Sequence, residues 1–292
     1  MRNRYYGAVV SITLYRVPSC TRAETSCSQH PPSLALCEGR VLQRTARAAC
    51  HSRRKVLGAL VAAGVASASR GTRYSVGAQN ATRVPVLCYH NIDYSGAGYA
   101  VTPELLDAQC SWLSTNGYTP ISVFQLLNAF TSGAVLPANP VLLTNDDGWS
   151  SSVTFAQTLG AHGMTGNYFI NNYSPLSAAD ILLLAQNGPV QAHTANHQFM
   201  SQLDPATQSA EIVNNQAYIS GITGQPVQFL AWPFGDVSPS AIQTAKDAGI
   251  LAAFGLGGAP CYVGASDLYA IPRIMMDASD TLDTFASKVM HW

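Results

Sequence analysis

Two adjacent carboxylates, Asp146 and Asp147, follow the run Val141-Leu142-Leu143-Thr144-Asn145 and precede Gly148. Like charges this close repel, and unless a cation relieves them one carboxyl is pushed to keep its proton. Alone, Asp-Asp-Gly reads more readily as a turn or a helix cap. A second pattern changes that reading. His193-Thr194-Ala195-Asn196-His197 sets two imidazoles four residues apart, a spacing at which both reach one point from a helical turn. With Asp147 they make a His2Asp donor set, three protein ligands that leave positions for water and substrate, as a catalytic divalent metal requires. Zinc is the expected ion, although other first-row metals suit the same donors.

These side chains need elements to hold them. Short apolar runs at Val84 to Tyr89, Pro140 to Thr144, Gly166 to Ile170, Pro189 to Ala192, Gln228 to Trp232, Leu251 to Phe254 and Tyr269 to Met275 predict buried strands. Between them, Thr102 to Asn116, Ser122 to Ser132, Ser151 to Gly163, Ser177 to Gln186, Asp204 to Gly221, Ser238 to Gly249 and Thr281 to His291 predict helices. Thr102-Pro103-Glu104 starts one such helix and Asn116-Gly117 stops it. Alternation of apolar strands with helices implies an α/β domain with a parallel sheet, and about seven units favour an irregular or incomplete (β/α)7 barrel. Chemistry in that architecture collects at the carboxyl ends of the strands, where the Asp pair and the His pair both fall.

Of the 292 residues, 47% are hydrophobic and 11% charged, enough apolar surface for a core. The formal net charge of zero conceals a division. Through Arg70 there are 11 basic and 2 acidic residues, and from Gly71 onward 5 basic and 14 acidic. An acidic body lacks the clustered cations that a nucleic-acid backbone demands, so nucleic acid is not an expected partner. Three of the seven cysteines, Cys88, Cys110 and Cys261, lie in the body without a CxxC pair, which points to small buried hydrophobes rather than a disulfide framework.

Ser52-Arg53-Arg54-Lys55 precedes an uncharged run from Val56 to Ala68, and Ala66-Ser67-Ala68 fits a small-residue cleavage site. The pattern resembles a twin-arginine export signal over 52–68, with cleavage after Ala68 and a periplasmic or extracellular destination. The run is too short for a permanent span of roughly 20 residues. Residues 1–51 form an anomalous extension before such a signal, consistent with translation starting at a codon such as that of Val41. Residues 69–83 read as a linker and 84–292 as one catalytic domain.

The body resembles the polysaccharide deacetylases of carbohydrate esterase family 4, whose Thr-Phe-Asp-Asp-Gly and His-Ser/Thr-x-x-His motifs match Thr144 to Gly148 and His193 to His197. Tyr89-His90-Asn91-Ile92 and Trp232-Pro233-Phe234-Gly235 are similar to the permuted branch that includes poly-N-acetylglucosamine deacetylases. The resemblance implies that Asp146 is the general base, Asp147 a metal ligand and His90 the general acid. His291, in the terminal helix, is the competing acid. The family's motif Arg becomes Ala231, so the resemblance points to Arg273 as the cation that orients Asp146. Asn145 stands where the family has Phe.

The expected activity is metal-dependent removal of acetyl groups from an N-acetylated polysaccharide or oligosaccharide. The metal would polarise the carbonyl, Asp146 accept the proton of water, and His90 protonate the departing amine. A backbone N–H near Tyr168 is a candidate oxyanion donor. Trp149, Tyr168, Trp232 and Phe234 lie beside the motifs and read either as sugar platforms or as core. Two other readings remain open: hydrolysis of another C–N amide bond, and a catalytically silent carbohydrate-binding domain.

Overall fold

The computed structural model describes residues 81–291. The extension 1–51, the expected export signal 52–68 and the expected linker as far as residue 80 lie outside the described residues. Seven parallel strands make one curled sheet: β1 (Val86–Tyr89), β2 (Pro140–Asp147), β3 (Asn167–Ile170), β4 (Val190–Ala192), β5 (Phe229–Ala231), β6 (Ala252–Phe254) and β7 (Ile274–Met275). Their spatial order is β6-β5-β4-β3-β2-β1-β7. Thr119–Pro120 adds a short parallel pairing to the start of β2.

The last strand segment stitches the two edges of the sheet. Ile271 forms a parallel bridge with Phe254 of β6, while Ile274 and Met275 pair with Leu87 and Cys88 of β1. The result is the irregular barrel expected from the strand count.

Among the described residues seven α-helices accompany these strands, two between β1 and β2 and none between β6 and β7: α1 (Pro103–Thr115), α2 (Val123–Ser132), α3 (Ser152–Ala161), α4 (Ala178–Asn187), α5 (Pro205–Thr223), α6 (Pro239–Asp247) and α7 (Leu282–His291). Their starts are written in side-chain chemistry. Thr102, Ser122, Ser177, Asp204 and Ser238 each accept a hydrogen bond from a backbone N–H of the first turn, and Ser122–Gln125 and Ser177–Asp180 complete capping boxes. All seven predicted strands and helices are present. Two-residue pairings such as Asn91–Ile92 with Ala100–Val101 were not foreseen, because two residues carry no period. Among the described residues, no helix is long and apolar enough to cross a membrane.

Strand side chains alternate between two cores. Leu87, Tyr89, Val141, Leu143, Tyr168 and Ile170 pack outward against the helices. Val86, Leu142, Phe169, Phe229, Ala231 and Phe254 fill the interior, with α2 contributing Val123 and Leu126. Two residues further along the interior-facing register, the apolar layer gives way to Cys88, Thr144 and Arg273, and then to His90 and Asp146. The barrel thus has an oily floor and a reactive rim.

Candidate metal centre and active site

Asp147 Oδ1 lies 3.1 Å from Nε2 of His193 and 3.1 Å from Nε2 of His197, and the two imidazole nitrogens are 3.1 Å apart. Donors bound tetrahedrally to one ion at about 2.0–2.2 Å stand roughly 3.3 Å from each other, so this triangle has the size a zinc-like ion needs. Asp147 Oδ1 is buried and makes no hydrogen bond, which is costly unless a cation completes it. Its other oxygen accepts from the Trp149 indole at 3.0 Å. His193 Nδ1 contacts the Ala231 carbonyl at 2.8 Å, which assigns the proton to Nδ1 and turns the lone pair of Nε2 toward the triangle. These residues fit a divalent metal.

Backbone geometry breaks the strand alternation to achieve this. Asp147 has φ 69°, so the side chain that would face the helices swings to the same side as Asp146. The next residue must be glycine: at φ 72°, a Cβ on Gly148 would stand 2.7 Å from Ser174 Oγ and 2.8 Å from Ile170 Cγ2. The histidine pair is not carried on a helical turn, contrary to the spacing argument. Residues 193–199 form a loop in which Thr194 and His197 are left-handed, and the Nε2 atoms of His193 and His197 converge by that bend instead.

Helix α5 holds this loop from below. Ala195 N donates to the Glu211 carbonyl, Asn196 N donates to Glu211 Oε2 at 2.7 Å, and His193 N donates to Asn215 Oδ1 at 2.9 Å. Asn215 also donates to Ile170 O and to Asn172 Oδ1, and Gln208 donates to Met200 O and Leu203 O just past the loop. Gln208, Glu211 and Asn215 are buried polar residues on one face of the helix. The sequence reading missed them, although their three- and four-residue spacing is a signal: a polar stripe on a helix that otherwise buries Ile212 and Ile219.

Asp146 is 1% exposed and clamped by Arg273, itself 1% exposed: Nη1 donates to Oδ1 at 2.7 Å and Nη2 to Oδ2 at 2.6 Å. Arg273 also donates to Thr144 Oγ1 and to the Gly255 carbonyl. It is a buried fork rather than a surface ion pair. Burial would raise the pKa of Asp146, but the Arg273 guanidinium outweighs it and holds the carboxyl below its ordinary value. Burial acts likewise on Asp147, and the two imidazoles override it and depress that pKa strongly. For His193 the burial effect is downward, and the Asp146 and Asp147 carboxylates reverse it to leave the pKa raised. The buried Cys88 thiol donates to Asp146 Oδ2 at 3.6 Å, and burial pushes its own pKa far up.

His90 faces Asp146 across the opening. Donor atoms of Cys88, His90 and Asp146 lie within 4.8 Å of one another, and burial lowers the pKa of His90. Asn145 Nδ2 donates to the His90 carbonyl at 2.7 Å, so the residue that departs from the family pattern fixes the backbone of the candidate acid. His291 is exposed at the end of α7 and is not among the residues lining the cavity. That cavity, about 340 Å³, is bounded by His90, Asp146, Asp147, His193, His197 and Arg273, with Tyr99, Phe234, Leu256 and Met275 on its walls. A roomier cleft of about 540 Å³, lined by Phe124, Pro189 and Gln225 among others, contains no titratable side chain.

One further expectation needs correction, and the four aromatic residues divide between the two readings left open for them. The Tyr168 N–H donates to Pro189 O at 2.9 Å within the sheet, so it is not free for an oxyanion. Tyr168 and Trp232 are fully buried in the core, with the Trp232 indole donating to Tyr269 O, although Trp232 also borders the cavity. Trp149 and Phe234 stay exposed.

A curled parallel sheet carrying three convergent metal donors and a clamped carboxylate at its carboxyl end defines a class, the α/β proteins with an open catalytic metal centre. Within that class, residues 134–253 match the family model described as polysaccharide deacetylase. A 71-residue stretch, 23% of this chain, is 37% identical to poly-beta-1,6-N-acetyl-D-glucosamine N-deacetylase of Escherichia coli K12 and spans 11% of that protein's length. The fold is similar to that of the Streptococcus pyogenes deacetylase PplD in complex with acetate, with TM-score 0.67, 20% identity, and coverage of 72% of this chain and 99% of the other. It is also similar to IcaB from Ammonifex degensii, with TM-score 0.60, 21% identity, and coverage of 71% and 95%.

Proposed function

We propose that this protein hydrolyses the N-acetyl groups of an amino-sugar glycan, releasing acetate, with a poly-N-acetylglucosamine as the leading substrate. One observation carries the reading. The Asp147–His193–His197 triangle, the Asp146–Arg273 pair and His90 all line one open cavity. Asp147, His193 and His197 would hold a divalent metal, for which we propose zinc; it would supply Lewis-acid polarisation of the acetyl carbonyl and a more acidic water. Asp146, kept ionised by Arg273, accepts the proton from the attacking water. His90 protonates the departing amine, and Asn145 fixes its place through the backbone. We further propose export of the protein through the 52–68 segment, which N-terminal sequencing of secreted material tests.

The functional test is acetate release across poly-β-1,6-N-acetylglucosamine, chitin oligomers and peptidoglycan, combined with metal analysis. Asp146→Asn should retain metal while turnover falls by about 10²–10⁴. His193→Ala and His197→Ala should lose metal and activity together. Undiminished acetate release in all three variants would overturn the assignment.

A further inference from the structure

At the amino ends of the strands, away from the metal donors, the sheet is loosely closed. β4 and β5 share a single residue pair, Ala192 with Leu230. Pro189 and Pro226 lie just ahead of the two strands, and neither has an N–H to lend to a ladder. A side chain takes the place of the missing rungs: Gln191 Oε1 accepts from Gln228 N at 2.8 Å and from Phe229 N at 3.0 Å. The cleft of about 540 Å³ opens at this gap, between α4, the end of α5 and Phe124 of α2.

On its floor stands a donor for which the protein supplies no acceptor. The two backbone N–H groups fix the Gln191 oxygen toward β5 and so turn its amide nitrogen the other way. Gln191 is 2% exposed and lines the cleft, and its Nε2 has no hydrogen-bond partner among the described residues. A polar group held this way is costly unless an acceptor reaches it. Around it the lining is uncharged: Leu182, Pro189, Pro226 and Phe124 present apolar surface, and Gln186 and Gln225 add exposed amides. Small-molecule pockets have this make-up, mostly apolar with a few fixed polar groups, at about 300–1,000 Å³.

The ligand that fits is neutral, offers a carbonyl oxygen to Gln191 Nε2 and carries an apolar patch beside that carbonyl. A charged ligand would shed hydration and meet no counter-charge. The acetamido group of an N-acetylated sugar supplies the carbonyl and a methyl, and ring hydroxyls can bond the Gln186 and Gln225 amides. Its deacetylated counterpart is the wrong ligand, because an ammonium is itself a donor and here meets a donor.

We propose that this cleft is a second binding site for N-acetylated sugar units, at the opposite end of the barrel from the metal centre, which recognises the acetyl group and rejects the free amine. The choice of ligand rests on the deacetylase reading above. A glycan is then held where it is still acetylated and let go where its acetyl groups have been removed.

The experiment follows the Gln191 side-chain amide in NMR spectra of the isotope-labelled, metal-free full chain, identified by its loss in Gln191→Glu. The probes are N,N′-diacetylchitobiose, its fully deacetylated diamine and an N-acetylated dipeptide amide. Diacetylchitobiose should shift the Gln191 resonance saturably and the diamine should leave it in place. Gln191→Glu keeps an acceptor for the two N–H groups and replaces the donor by an oxygen; it should weaken binding, read from the backbone amides of Gln186 and Gln225, by about 10-fold or more. Leu182→Arg, at a half-exposed position that makes none of the Gln191 bonds, should obstruct the cleft and weaken binding likewise, which keeps the test decisive should Gln191→Glu not fold. The inference falls if diacetylchitobiose leaves the Gln191 resonance unmoved, if the diamine shifts it equally, or if the dipeptide binds there more tightly than the sugar. Acetate release by the metal-loaded wild type is measured alongside. Release without a shift at Gln191 removes this site and keeps the deacetylase reading; a shift without release removes that reading and keeps the site.

Discussion

In the proposed reaction, His90, Asp146 and Arg273 divide the chemical work among side chains whose surroundings differ. A proton donor matters most when the leaving group is a poor one, as an amine is. His90→Gln should therefore reduce hydrolysis of an N-acetyl sugar by about 10²–10⁴, while cleavage of an activated acetate ester with a phenolic leaving group falls far less; equal losses on both would remove His90 from the acid role. The Arg273 clamp makes a different prediction. Replacing one member of a buried ion pair strands the other charge, so Arg273→Met should destabilise the protein by about 3–5 kcal/mol. The double variant Arg273→Met with Asp146→Asn should recover part of that loss, since no bare carboxylate remains. Denaturant unfolding of the three variants checks this, and a double variant no more stable than the single one would contradict it.

Among the elements, helix α5 positions the histidine loop without entering the cavity. Glu211 and Asn215 hold its backbone N–H groups, so Glu211→Gln or Asn215→Ala should weaken metal affinity by about 10- to 100-fold, as outer-layer changes around metal ligands do. Competition with a chelator measures this, and unchanged affinity would relegate the stripe to packing alone. This stripe also marks the limit of what the chain reveals before it is folded. The strands and helices were legible because apolar runs and caps such as Ser122–Gln125 and Ser177–Asp180 are local signals. The residues Asp146, Asp147, His193, His197, His90 and Arg273 could be singled out by type and motif. Their meeting was not legible from spacing: His193 and His197 converge through left-handed residues, not a helical turn. Nor was the Asn145 bond to His90, or the stacking of Phe199 on Phe234, since each joins positions far apart in the chain. Tertiary hydrogen bonds leave no period to read.

For the molecule as a whole, the depressed carboxyl pKa values make stability depend on acidity. Asp146 and Asp147 titrate below their unfolded value of about 3.9, so their contribution is complete above that pH and is lost as pH falls toward their folded values. Urea midpoints of the metal-free protein should fall steadily below about pH 4, and less steeply for Asp146→Asn with Arg273→Met. An unchanged wild-type midpoint between pH 6 and pH 3 would refute the linkage. The strand that closes the barrel carries one more consequence. Ile271 and Ile274 zip the two sheet edges, and Arg273 between them brings the guanidinium that keeps Asp146 ionised. A ribosome stalled, or a protease cutting, ahead of Ile271 leaves every proposed metal ligand in the product but neither the seam nor the counter-charge. A fragment that stops there should still capture metal yet release no acetate, since its proposed base has lost its partner.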